Sequence, residues 1–325
     1  MADGARKGLL MHDNSTSSYS PRYWEEAELN QELDRLVELA WEPGWAPVAL
    51  GALIRLCATL RQNAHDWLRL RHLLRSHPTM HRLMLEDPTV FHAARPSAVR
   101  LDLILGHPAA APLLADTSRA GRDLFAITST LPWANALRNR NAMLGRMVDA
   151  VVADVPGAGI LTLGAGHLRE VAEVTQLPRL GRWVVLEEDL EQRQMLRQGV
   201  PPSLPLQVLR CSLRGFARRS CRSGRFDLIC IPRPPLFWSP SATAELVASA
   251  FDVLKPGGRL LLCAAGAPVP EAAWMDAYLE RTPRWTTPRE MEALLAGVDP
   301  EACASCQVFP SLDGHMMHAI LRRRG

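Results

Sequence analysis

Two stretches of this chain hold residue types at spacings suited to a nucleotide-like ligand. In the first, Ile160-Leu161-Thr162-Leu163 runs into Gly164-Ala165-Gly166 and then His167-Leu168-Arg169-Glu170-Val171; in the second, Val184-Val185-Leu186 ends on Glu187-Glu188-Asp189. An apolar, β-branched run feeding Gly-x-Gly lets backbone N–H groups approach a ligand at a helix start, where a side chain at either glycine would collide. A carboxylate ending the neighbouring strand can accept both hydroxyl protons of a ribose. A dinucleotide turn carries a third glycine for close helix packing around the pyrophosphate, and this chain has Arg169 at that place. A large charged residue there argues against NAD or FAD and for a cofactor with no phosphates to cradle, S-adenosylmethionine.

Those residues need a sheet to position them. Leu206-Gln207-Val208-Leu209, Phe226 to Ile231 and Arg259 to Cys263 are further apolar runs of strand length. Between the last two, Ala242 to Leu254 is apolar at helical spacing, and Lys255-Pro256-Gly257-Gly258 reads as a helix stop and a turn. Strands alternating with helices predict an α/β fold with a doubly wound, mostly parallel, Rossmann-like sheet. Ser305 to Phe309 and His315 to Arg322, joined across Ser311-Leu312-Asp313-Gly314, predict a closing antiparallel hairpin.

The half before the glycine turn is helical in pattern. Residues 1–20 are polar and Ser-rich, and Ser20-Pro21 starts a helix with acids behind it. Helices are expected over 26–40, 46–62, 64–76, 78–85, 97–105, 121–128 and 134–153. The expected organisation is a flexible 1–20, an all-helical lid or substrate domain at 21–133, and a cofactor-binding domain at 134–325, with apolar content enough for separate cores.

Residues 160 to 325 resemble the class I S-adenosylmethionine-dependent methyltransferases over their whole length. Leu163-Gly164-Ala165-Gly166 resembles the family's glycine turn, Glu187 its ribose acid, Ser212 the place after strand three where the adenine is contacted, and Leu254-Lys255-Pro256-Gly257-Gly258 the turn before strand five. A closer resemblance covers Ala136-Leu137-Arg138-Asn139-Arg140, Gly164 to Glu170, Phe226-Asp227-Leu228-Ile229 and Trp274 to Arg281. These look like bacterial synthases of a 3-hydroxy fatty acid methyl ester signal, which implies methyl transfer to a carboxyl oxygen. The chain departs from that family at Ala94 to Arg100, which lacks its tyrosine and acid, and at Ile231 to Pro240, an apolar, proline-stiffened loop without a general base. The resemblance therefore implies a retained cofactor site beside altered acceptor chemistry.

Besides Glu187 and Ser212, Glu188, Cys211, Ile231 and Pro232 end strands at the same edge and are expected at the cofactor. Arg138 and Arg140 precede strand one. A guanidinium fork suits a carboxylate, and Arg138 is expected to meet the methionine carboxylate or an acidic substrate, against the reading of a solvated helix face. His167 follows the turn, with a pKa suited to a general base; bracing of the loop is the competing role. Tyr19, Tyr23 and Trp24 could form an aromatic lid over a sulfonium, with Tyr23 joining His167 as a catalytic candidate and Tyr19 and Trp24 facing the substrate; packing of an N-terminal helix is the alternative. Phe237, Trp238 and Trp274 are expected as an apolar substrate wall or as core. His315 and His318 are expected to be structural.

Composition narrows the partners. The net charge is +3 and only Lys7 and Lys255 are lysines among 37 basic residues, with no basic run interleaved with aromatics, so nucleic acid is not expected. No apolar stretch reaches membrane-spanning length, and Val48 to Leu60 is broken by Arg55. Seven cysteines scattered through strands suit reduced thiols and a cytoplasmic location, and Cys303-x-x-Cys306 lacks the second pair a zinc site needs, so no metal is expected. The chemistry then has three forms. An ionised carboxylate could take the methyl group without a base. The α-amino group of S-adenosylmethionine could instead attack its own Cγ, giving azetidine-2-carboxylate and methylthioadenosine, as in cyclases on methyltransferase folds. A non-catalytic binder is the third form, against which the intact turn and Glu187 argue.

Overall fold

The computed structural model describes residues 24–62, 65–93, 98–219, 224–279 and 282–325. Tyr19, Tyr23, the Ser20-Pro21 cap and Arg95-Pro96-Ser97 lie outside them.

Helices fill the first half: α1 (Glu26–Trp41), α2 (Ala46–Gln62), α3 (Trp67–Ser76), α4 (Pro78–Glu86), α5 (Pro88–Phe91), α6 (Val99–Leu105), α7 (Ala111–Ala115), α8 (Arg119–Thr128) and the long α9 (Pro132–Asp154). Local chemistry sets several starts. Pro78, Pro88 and Pro132 occupy first-turn positions where a missing N–H costs nothing. Asp87 Oδ1 accepts from the Thr89 N–H at 2.7 Å, and Ser118 Oγ accepts from the Gly121 N–H at 3.0 Å.

Seven strands follow: β1 (Gly159–Thr162), β2 (Arg182–Leu186), β3 (Leu206–Leu209), β4 (Phe226–Ile231), β5 (Leu254–Ala265), β6 (Cys303–Pro310) and β7 (Met316–Arg323). Between them lie α10 (Leu190–Gln198), α11 (Leu213–Ala217), α12 (Pro240–Asp252), α13 (Ala272–Tyr278) and α14 (Pro288–Ala293). The order is β3-β2-β1-β4-β5-β7-β6. The first five strands are parallel, β7 is antiparallel to β5, and β6 is antiparallel to β7. This is the expected doubly wound sheet with its closing hairpin.

One expectation needs correction. Lys255 to Gly258 does not precede the fifth strand but belongs to it: Phe226 pairs with Leu254 and Leu228 with Arg259, so the four residues form a bulged stretch, with Gly257 at φ +75°.

The inner strands of the sheet are buried on both faces, successive residues pointing to opposite sides. Ile160, Val185, Leu228, Leu261 and Cys263 join one apolar cluster, while Leu161, Val184, Ile229, Leu260 and Leu262 join another that packs on Leu246, Val247 and Ala250 of α12. The first cluster runs without a break into Leu29, Leu33, Leu50, Leu53, Leu70 and Met80 of the helical region. The helical half thus shares one of the sheet's two apolar clusters. Cys57, Cys230, Cys263, Cys303 and Cys306 are free thiols, but Cys211 is disulfide-bonded, which departs from the expectation of reduced cysteines throughout. No described helix is long and apolar enough to cross a membrane.

Candidate functional site

Strand order reverses between β1 and β4, and ligands of such sheets bind in the crevice outside the carboxyl ends of the strands at that point. Register decides which residues meet there. Thr162 of β1 lies beside Val185 of β2 and Cys230 of β4, so two residues further on Gly164, Glu187 and Pro232 share one edge. Leu186 lies beside Leu209 of β3, which brings Cys211 and Ser212 to the same edge.

The turn has the geometry its glycines suggested. Gly164 (φ +77°) and Gly166 (φ +56°) are exposed and in the left-handed region, and a Cβ on Gly166 would lie 3.0 Å from the Ala98 Cβ. Ala165 between them is buried. Glu187 is half-buried and its Oε1 accepts from the Asp189 N–H at 2.9 Å, leaving Oε2 to another donor; Glu188 is exposed. Ser212 Oγ caps α11 by accepting from the Gly215 N–H at 3.0 Å.

The residues after the turn are held from outside the sheet. His167 is wholly buried, with Nδ1 2.7 Å from Asp102 Oδ2, and Arg169 forks onto the same carboxylate with Nε–Oδ1 at 2.7 Å and Nη2–Oδ2 at 2.9 Å. Burial works against the Asp102 carboxylate, but the hydrogen bonds from Arg169 and His167 outweigh it and hold its pKa below the ordinary value. A fully buried imidazole tied to a carboxylate favours the competing role, bracing of the turn, although its Nε2 has no hydrogen-bond partner among the described residues. Asp102 escaped the sequence reading, although an acid inside Leu101-Asp102-Leu103-Ile104-Leu105 is the signal that could have found it.

Beside the turn lies a cavity of about 210 Å³. Trp133, Leu137 and Arg140 of α9 line it, with Pro232 to Leu236 and Trp238 after β4, Ala264 and Ala265 at the end of β5, and Arg284 and Glu290 near α14. Arg233 links it to the turn: its carbonyl oxygen lies 3.6 Å from where a Gly164 Cβ would stand. Trp238 is the expected aromatic in this wall, with the Arg214 guanidinium 5.8 Å from its ring centre.

Other candidates fall elsewhere. Phe237 is 80% exposed and does not line the cavity. Trp274 is buried against Tyr278 in the helical core, 6.5 Å between ring centres, because α13 packs into α2 and α3. Trp24 is half-buried against that core, with its carbonyl accepting from Arg69. Arg138 bonds to Asn135 Oδ1 at 2.9 Å, while Arg140 is among the residues lining the cavity. His318 is buried with Nδ1 3.3 Å from Cys263 Sγ, and burial pushes its pKa down to about 4. No cluster of three or more metal-ligating side chains occurs among the described residues.

The strand order, with its terminal antiparallel hairpin, is the class I methyltransferase arrangement expected from the sequence. Among solved structures the chain is similar to a possible exported protein from Bordetella parapertussis, at 15% identity over 96% of this chain and 100% of that one, with a TM-score of 0.55. It is more distantly similar to the pyocyanin biosynthetic protein PhzM (15% identity, 78% and 75% of the two chains, TM-score 0.46). A third is the N-methyltransferase NodS from Bradyrhizobium japonicum WM9 in complex with S-adenosyl-L-homocysteine (14% identity, 60% and 90%, TM-score 0.41). At these identities the likeness is one of fold. No protein-family model matches the chain, and no curated protein matches it.

Proposed function

We propose that this chain binds S-adenosylmethionine in the crevice at Gly164, Gly166 and Glu187 and transfers its methyl group to a carboxylate on a small apolar acceptor in the adjoining cavity. The observation that carries this reading is the cavity itself: aromatic and proline walls with Arg140 and Arg284 among them, touching the glycine turn through Arg233.

The crevice residues fit the cofactor. Two exposed glycines leave the turn open to close backbone approach, and Glu187 keeps an oxygen for a ribose hydroxyl. S-adenosylmethionine supplies, when bound, a methyl group on a cationic sulfur already activated for transfer. The chain's residues then have to align a nucleophile and exclude water. The Trp133 and Trp238 rings and the prolines of 232–235 provide a rigid apolar wall for that purpose. Glu290 is the one acidic side chain among the described lining residues, and it is held by the Thr287 N–H at 2.8 Å in a capping box. A wall of this kind suits a nucleophile that arrives ionised, as a carboxylate does at neutral pH.

The test incubates the protein with S-adenosylmethionine, alone and with a panel of apolar carboxylic acids, and reads the products by mass spectrometry. Acid-dependent S-adenosylhomocysteine and a methyl ester are expected, and Glu187→Ala weakens cofactor binding about tenfold or more by removing a charged hydrogen-bond acceptor. Methylthioadenosine formed from S-adenosylmethionine alone would replace this reading with cyclisation to azetidine-2-carboxylate. Tight cofactor binding with neither product would leave a non-catalytic binder.

A further inference from the structure

Arg140 is a buried cation in need of a partner. The residue lines the cavity and is 6% exposed, and its Nε has no hydrogen-bond partner among the described residues. Taking a guanidinium out of water is costly unless it is paired and hydrogen-bonded. Glu170, 3% exposed, lies on the turn Arg169–Glu173 that packs against α9 and favours the charged form of Arg140, and Glu170 Oε1 likewise has no partner among the described residues. Two buried groups of opposite charge, each with an unsatisfied atom and one of them in a cavity wall, form an arrangement that a ligand would complete.

We infer that Arg140 is the carboxylate receptor of the cavity and that Glu170 is the counter-charge it keeps until a ligand carboxylate replaces it. The inference rests on the proposed cofactor and acceptor sites only for the source of the ligand: the acceptor's carboxylate, or the methionine carboxylate of the cofactor.

The surroundings leave Glu170 as the group whose charge responds. Burial is the main cause that pushes its pKa up to about 7, while a backbone hydrogen bond and then Arg140 and Arg169 pull it down. Arg169 is already neutralised by Asp102. From β4 and β5, the Cys230 and Cys263 thiols are raised by burial, Cys263 to about 12, so both stay protonated. His318 of β7, lowered to about 4, stays neutral. When a ligand carboxylate neutralises Arg140, Glu170 loses the attraction that favoured its ionised form and takes up a proton. Ligand binding and proton uptake are therefore coupled.

Calorimetric titration of the full chain with benzoate and with uncharged benzamide tests this, run near pH 7.5 in two buffers of different ionisation enthalpy. An acceptor receptor binds benzoate about tenfold or more tighter than benzamide and takes up a fraction of a proton per site. Arg140→Gln removes the preference and leaves benzamide binding in place; Arg140→Lys, which keeps the charge without the fork, retains part of it. Glu170→Gln strengthens benzoate binding and abolishes proton uptake, a change that a purely structural role would not produce. A cofactor receptor gives another pattern: Arg140→Gln weakens S-adenosylmethionine but not its decarboxylated analogue, and benzoate shows no preference. If Arg140→Gln and Arg140→Lys, melting like the parent, alter neither benzoate nor S-adenosylmethionine affinity, Arg140 is no receptor. Carboxylate binding through Arg140 without proton uptake would remove Glu170 from the account. Should benzoate bind through Arg140 while no acid yields S-adenosylhomocysteine, the receptor stands and the methyl-transfer reading falls.

Discussion

Asp102 shows how one side chain far along the chain from the glycines can brace the residues that follow them. Its carboxylate compensates a buried guanidinium and orders a buried imidazole. Asp102→Asn would leave Arg169 charged and uncompensated, a loss of about 3–5 kcal/mol, measurable as a lower urea midpoint. Because the folded pKa of Asp102 lies below its unfolded value of about 3.9, its contribution is complete above that value and drains away as pH falls below it toward the folded pKa. The parent should lose stability to acid in that window more steeply than the Asn variant; equal slopes would contradict the clamp. Sequence pointed to Arg138 for a carboxylate, whereas Arg140 of the same helix is the one in the cavity wall. Two residues apart they differ by about 200° around the axis, and only the packing of α9 decides which face meets the cavity. The glycines and Glu187 were legible for the opposite reason, since their spacing relative to strand ends is fixed within the chain.

At the scale of elements, α9 and the turn Arg169–Glu173 are fitted to one another at Gly145. A Cβ there would stand 2.4 Å from the Glu173 Cβ and 2.9 Å from the Glu173 carbonyl oxygen. Gly145→Ala gains about 1 kcal/mol of helix propensity, yet the collision with backbone should cost more, typically about 1–3 kcal/mol for overpacking, and it displaces the segment that carries Arg169 and Glu170. Weaker cofactor binding together with an unchanged or lower denaturation midpoint is expected; a more stable variant with unaltered binding would show that the fit is loose. Most helices and strands could be read from sequence because prolines, caps and apolar periods act locally. The stretch Lys255 to Gly258 misled because Pro and paired Gly commonly end an element, whereas here β5 absorbs them as a bulge between its pairings with Phe226 and Leu228.

Across the whole molecule, one apolar cluster crosses the division expected at residue 133. Leu29, Leu50 and Met80 of the helices lie in the same apolar cluster as Ile160, Trp183 and Leu228 of the sheet. Continuous burial of this kind couples the unfolding of both halves, so calorimetry should show one transition, and S-adenosylhomocysteine at a hundred times its dissociation constant should stabilise the whole by about 2.7 kcal/mol. Two separable transitions, with only the later one shifted by ligand, would restore independent domains. The shared core was not legible because apolar periodicity shows which face of a helix is buried and says nothing of its partner.

The clamp from α6 also limits what evolution or engineering can do with this chain. Rossmann-like sheets are often treated as portable, a cofactor cassette to which other segments are appended. Here a fragment beginning at α9 would retain His167 and Arg169 but leave behind Asp102, the anchor to which both are moored. The cassette is thus not self-sufficient, and a transplanted copy would need a substitute acid from its new host before its glycine turn could hold its shape.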